Sequence, residues 1–81
     1  MPTILRDGPY RFYFFSHEPN EPAHVHIDRD ECSAKFWIRP VSLARNTGYP
    51  ARELSTIHRL VIKHQLEFGE AWDGYFGARS R

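Results

Sequence analysis

The chain has 81 residues, enough for one hydrophobic core and too few for two. Its composition, 41% hydrophobic and 26% charged, excludes disorder; eleven Lys and Arg against ten Asp and Glu exclude the overall positive field that drives non-specific nucleic-acid binding. With Cys32 as the only cysteine there is no intrachain disulfide and no multi-cysteine zinc finger. No segment has the apolar run of a signal peptide or the ~20 apolar residues of a membrane span, so a cytoplasmic protein with no membrane partner is expected.

The first half of the chain reads as strands. Ile4 to Arg6 is a short strand ended by a turn at Asp7-Gly8-Pro9, where Gly tolerates positive φ and Pro fixes its own. Tyr10 to His17 is a second, aromatic strand. Two prolines in Glu18-Pro19-Asn20-Glu21-Pro22 remove ladder donors and make that segment a loop. Ala23 to Asp28 alternates, with Ala23, Val25 and Ile27 on one face and His24, His26 and Asp28 on the other. After the charged turn at Arg29-Asp30-Glu31, Ser33 to Arg39 alternates too. Ala34, Phe36 and Ile38 point inward there, and Lys35, Trp37 and Arg39 outward. Val41 and Leu43 extend the pattern into a short edge strand before the Asn46-Thr47-Gly48 turn.

Beyond Pro50 the period changes to that of a helix. Leu54, Ile57, Val61, Phe68, Trp72 and Tyr75 recur at spacings of three, four and seven and so share one face. Arg52, Thr56, Arg59, Lys63, Glu67 and Glu70 project from the opposite one. Gly69 and Gly74 each cost about 1 kcal/mol relative to Ala, so a bend or fraying is expected near the end. The expected fold is α+β: an antiparallel sheet of four or five strands with one face packed on a long C-terminal helix. One domain is expected over 1–81, with a β-rich part at 1–49, the helix at 50–77 and a tail at 78–81.

The His24-Val25-His26 triplet is the most informative feature, because positions i and i+2 of a strand point the same way. Two imidazoles could share a metal with His17 or Glu21 as a third ligand, Asp28 and Glu31 being further candidates. No third ligand is unambiguous, so neither metal nor cofactor is expected. Two histidines stacked on a half-exposed strand face are the plainer alternative. Antiparallel neighbours share a core face, so their outward residues also lie together. Tyr13, His24, His26, Lys35, Trp37 and Arg39 are therefore expected on one surface.

Such a surface has the parts of a metal-independent ribonuclease. His24 or His26 would move the proton, Lys35 and Arg39 would stabilise the phosphorane-like charge, and Tyr13 or Trp37 would stack on a base. Arg45 and Arg52, with Arg59 and Lys63, form a basic stripe suited to phosphate or an acidic partner. An ordinary solvated face explains it equally. Leu60, Ile62 and Leu66 widen the apolar face of the helix beyond the central stripe, which suggests a contact with another chain, an oligomer included.

Several blocks resemble one family: Met1-Pro2-Thr3-Ile4-Leu5-Arg6, then Gly8-Pro9-Tyr10-Arg11-Phe12-Tyr13-Phe14, Asn20-Glu21-Pro22-Ala23-His24-Val25-His26 and Ala34-Lys35-Phe36-Trp37. Leu43-Ala44-Arg45-Asn46, Ala51-Arg52-Glu53-Leu54 and Glu70-Ala71-Trp72 continue the series. Together they are similar to the small bacterial domain of unknown function 4160 family, along nearly the whole chain. The chain departs from that pattern at Ala23, where Pro is usual, at Pro50, where a Ser-like cap is usual, and at Gly69 and Gly74, where helix formers are usual. The resemblance implies a toxin-like component of a toxin–antitoxin-type module, with a small cognate partner protein encoded nearby; the outward sheet face makes RNA the candidate target. It carries no catalytic residue. A non-enzymatic module that assembles with a partner and a small His-x-His metalloprotein remain the alternatives.

Overall fold

The structure is a computed structural model that describes residues 3–15 and 21–76. Five strands form one antiparallel meander in sequence order: β1 (Thr3–Asp7), β2 (Tyr10–Tyr13), β3 (His24–Arg29), β4 (Cys32–Ile38) and β5 (Val41–Thr47). Two helices follow, α1 (Ala51–Lys63) and α2 (Gln65–Phe76). His17, the loop residues 18–20 and the tail at 78–81 lie outside the described residues.

Each hairpin has a local cause. Asp7 pairs with Tyr10 across Gly8-Pro9, and Gly8 takes the left-handed φ of +60° that a two-residue turn needs. Asp30 adopts φ +54° between β3 and β4, a conformation that Asp tolerates better than most residues. The alternation read in β3 and β4 holds: Ala23, Val25, Ile27, Ala34, Phe36 and Ile38 are all buried. They meet Phe12 and Phe14 from β2 and its extension, and Ile57, Val61, Phe68, Trp72 and Phe76 from the helices. Phe12 stacks on Phe68 at 5.2 Å between ring centroids, while Phe14 sits edge-on to Trp72 at 5.4 Å. Each large apolar side chain fully buried in this way contributes roughly 1.5–3 kcal/mol.

The expected single long helix is two helices broken at His64. Carbonyls from α1 cap its end there, with the His64 amide donating to Leu60 at 3.0 Å. Side chains fix the break as well. His64 Nε2 meets Asp7 Oδ2 at 2.9 Å and Nδ1 meets Glu67 Oε1 at 2.5 Å, while Gln65 Nε2 donates to the carbonyl of Ile38 at 2.6 Å. The bend thus sits at a joint tied to β1 and β4, and α2 runs through both Gly69 and Gly74. Tyr75, expected in the buried stripe, is half-exposed, and Phe76 takes its place in the core. Pro50 caps α1 from outside as its N-cap residue, with its carbonyl accepting from Leu54 N.

A polar latch fastens the start of α1 to the sheet. Arg29 donates through Nε and Nη2 to the two carboxylate oxygens of Glu53, and Tyr10 donates its hydroxyl to Glu53 at 2.8 Å. Tyr49 donates to the carbonyl of Ile27 at 3.0 Å, and its own backbone is held by Asn46. The Arg29 fork and the Tyr10 hydroxyl hold the Glu53 carboxyl below its usual range. Both helices lie on one face of the sheet, which leaves the other face as the place where side chains of alternate parity gather.

Candidate functional site on the open sheet face

Register places three rows across the helix-free face. Arg11, Asp28, Ser33 and Thr47 form one; Tyr13, His26, Lys35 and Arg45 the next; His24, Trp37 and Ser42 the third. His26, Lys35 and Arg45 thus stand on three adjacent strands side by side. They line a groove of about 240 Å³ with Phe15, Ser33, Thr47 and the rim residue Glu21.

Arg45 reaches this groove because of a bulge. Strict alternation along β5 would set Val41, Leu43 and Arg45 on one side. The register instead runs Leu43 opposite Phe36 and Arg45 opposite Lys35, leaving Ala44 as the extra residue. One unpaired residue inverts the parity of everything beyond it. Leu43, before the bulge, faces Leu54 and His58 on the helix side, and Arg45, beyond it, turns to the open face. The expected basic stripe is divided by this: Arg45 joins His26 and Lys35, whereas Arg52 is exposed on α1, in the other layer.

His24 is the main correction. It has the parity of the open face, yet it is 0% exposed. As the first residue of β3 it lies where Trp72 wraps around the end of the sheet, 4.9 Å away between ring centroids, with Trp37 at 5.8 Å. Its Nδ1 lies 2.9 Å from the carbonyl of Pro22, which can only accept, so Nδ1 carries the proton. A sealed imidazole with this tautomer fixed is a packing element. It cannot serve as the solvent-facing base that the strand pattern suggested.

Arg39 is the second correction. β4 ends at Ile38, and the residue after it no longer follows the alternation. The guanidinium turns to the helix layer, donating to Asp73 at 2.9 Å and to the carbonyl of Gly69 at 3.3 Å. Gly69 explains how it fits: a Cβ there would stand 2.9 Å from Arg39 Nη2. Arg39 thus secures α2 and is absent from the groove.

Tyr13 is buried beside His26 on the adjacent strand. Its ring stacks on His26 at 5.3 Å with 19° between planes, and its hydroxyl donates to the Asp28 carboxylate at 3.1 Å. Burial, then the Asp28 charge, raises the Tyr13 pKa above the ordinary phenol value and keeps it a donor. Arg11 also lies over that ring, 4.7 Å from its centroid. Phe15 meets His26 edge-on at 4.8 Å, so the imidazole is oriented by two aromatic rings. Lys35 lies over Trp37 at 4.8 Å and pairs with Glu21 at 2.5 Å.

Phe15, Ser33 and Thr47 were not apparent from the sequence as groove residues. Ser33 and Thr47 share a row by register, which requires the position of the β5 bulge. Among the described residues no group of three or more His, Cys, Asp or Glu side chains could hold a metal ion, and His17 lies outside them. No helix among the described residues is long and apolar enough to cross a membrane.

Residues 10–73 match the model of a family described as Domain of unknown function (DUF4160). The chain belongs to this family. The matched region contains His24, His26, Lys35, Arg39, Arg45 and the α2 residues through Asp73, so the whole groove lies within it. No curated protein and no solved structure matches the chain.

Proposed function

We propose that this protein is the toxin-like component of a small bacterial, cytoplasmic two-protein module, and that it binds single-stranded RNA across its open sheet face. The observation that carries the reading is the pairing of Lys35 with Arg45 directly across β4 and β5, beside the oriented ring of His26. Two cations at strand spacing suit successive or shared phosphate oxygens, and the Phe15 edge offers a base a surface to lie against. Ser33 and Thr47 add hydroxyls that both donate and accept, as a 2′-OH partner must. The activity is binding. Among the described residues, His26 is the one imidazole lining this groove, His24 being sealed.

Fluorescence anisotropy of a labelled ten-nucleotide single-stranded oligoribonucleotide tests it, with an assay of growth arrest by the chain alone and with its neighbouring gene product. Saturable binding that falls in Lys35→Ala and Arg45→Ala supports the reading. Binding unchanged in both variants, or no binding at all, removes it.

One observation favours a second reading, a non-enzymatic assembly module. Leu66 is 81% exposed and Ile62 51% exposed near the α1–α2 joint, apolar area that a protein partner would cover. The neighbouring gene product co-purifying with wild type but not with Leu66→Lys, in a chain that binds no RNA, selects this alternative.

A further inference from the structure

The groove holds an ion pair between Lys35 and Glu21. Lys35 is nearly buried, its ammonium fixed over the Trp37 ring, whereas the Glu21 side chain on the rim is 43% exposed. The carboxylate is thus the more exposed member of the pair. It sits where an anion would be held, against Lys35 at 2.5 Å and 3.8 Å from His24 Nδ1, in a groove that Arg45 also lines. Arg45 has no carboxylate in contact among the described residues and is exposed. The groove therefore has one cation occupied by an internal acid and a second open to solvent, with the hydroxyls of Ser33 and Thr47 in the adjoining row.

We propose that Glu21 is an internal plug on a phosphate-binding subsite: its carboxylate holds the place beside Lys35 that a ligand's phosphate group takes, and binding exchanges one for the other. The inference deepens the RNA-binding reading and rests on it for the source of the phosphate. A phosphate group is the fitting chemistry because it offers several acceptor oxygens, enough to engage Lys35 and Arg45 together, whereas the single Glu21 carboxylate meets Lys35. The groove's volume of about 240 Å³ exceeds what one phosphate group fills and leaves room for the sugar attached to it. Removing the plug takes away both the competing carboxylate and its repulsion of the incoming anion.

The experiment titrates inorganic phosphate at constant ionic strength into wild type, Glu21→Gln and Arg45→Ala, following the His26 ring signals by NMR. A second arm titrates the same oligoribonucleotide as above. Glu21→Gln should bind phosphate about threefold tighter or more, the scale of one partly exposed ion pair, and Arg45→Ala should bind it more weakly. The oligoribonucleotide should gain by a similar factor. Melting curves of Glu21→Gln and of a second variant, Glu21→Ser, establish that both are folded. Unchanged phosphate affinity in the folded variants overturns the plug, whatever the RNA does. A gain for phosphate without any RNA binding upholds the plug and overturns the RNA reading. RNA binding that Glu21→Gln leaves unaltered, together with unchanged phosphate affinity, does the reverse.

Discussion

The imidazole of His24 and the indole of Trp72 lie 4.9 Å apart, one from the first position of β3 and the other from α2, and the contact closes the end of the sheet. It separates two histidines that the sequence presents as equivalent. His24 becomes part of the core boundary, while His26, two residues on, stays at the groove.

Substitution should separate them too. Trp72→Ala is expected to cost ~3–5 kcal/mol, and His24→Ala ~2–3 kcal/mol, because each leaves a cavity and the second also strands the Pro22 carbonyl. His26→Ala should stay within about 1 kcal/mol, since its ring is only partly enclosed. Urea denaturation of the three variants checks the order. Equal, small losses for both histidines would mean that His24 is not sealed.

Much of the fold is legible in the sequence, and its failures have identifiable causes. Alternation gave the buried faces of β3 and β4 directly, because side-chain parity along a strand is local. The 3.6-residue period likewise marked Ile57, Val61, Phe68 and Trp72 as core. Three features needed tertiary information. The break at His64 is made by Asp7, Glu67 and the Ile38 carbonyl reached by Gln65, none of which a helical period registers. The bulge at Ala44 inverts parity without any Gly or Pro to announce it. The burial of His24 depends on a Trp forty-eight positions away, so parity predicted its face correctly and its exposure wrongly.

His64 should make stability fall as pH rises. Its hydrogen bond to Asp7, then that to Glu67, raise its pKa in the folded protein against the opposing effect of burial. A raised folded pKa means that the stabilisation is complete below the ordinary imidazole value near 6.5. It is lost as pH climbs through the higher folded value. Thermal melts from pH 5 to pH 9 should show this decline in wild type, and His64→Gln should lack it. A parallel decline in the variant would assign the effect to another group.

Glu53 should act in the opposite direction. The Arg29 hydrogen bonds, then that of Tyr10, depress its pKa, so its contribution is complete above the ordinary carboxylate value and disappears as pH falls through the lower folded value. Glu53→Gln should be less stable than wild type at pH 7, and the difference should shrink toward pH 2–3. The measurement is the midpoint of chemical denaturation across that range.

The two helical glycines should respond differently. A methyl group at Gly74 meets nothing within 4 Å, so Gly74→Ala is expected to stabilise the protein by ~0.5–1 kcal/mol through helix propensity. At Gly69 the same gain is opposed by displacement of the Arg39 guanidinium from α2, and the net effect should be smaller. Melting temperatures of the two variants, and of Gly69→Ala combined with Arg39→Ala, test the comparison. In the double variant the opposition disappears.

The salt dependence of RNA affinity should report the cations individually. Each phosphate contact on a single strand contributes about 0.7 to the slope of log affinity against log salt. Arg45→Ala should therefore lower the slope by about that amount, and Arg52→Ala, on the helix layer, should leave it unchanged. Equal effects at both positions would indicate diffuse attraction without a defined face.

The central claim is that the helix-free face of the sheet is the ligand-binding surface. Its most direct test is a map of backbone amide and imidazole NMR shifts during titration with a single-stranded oligoribonucleotide. The account predicts that the largest changes fall on Phe15, His26, Lys35, Arg45 and Thr47, and that Arg52 and Arg59 on α1 are unaffected. Shifts concentrated on α1, or none on the β3–β5 face at saturation, would contradict it.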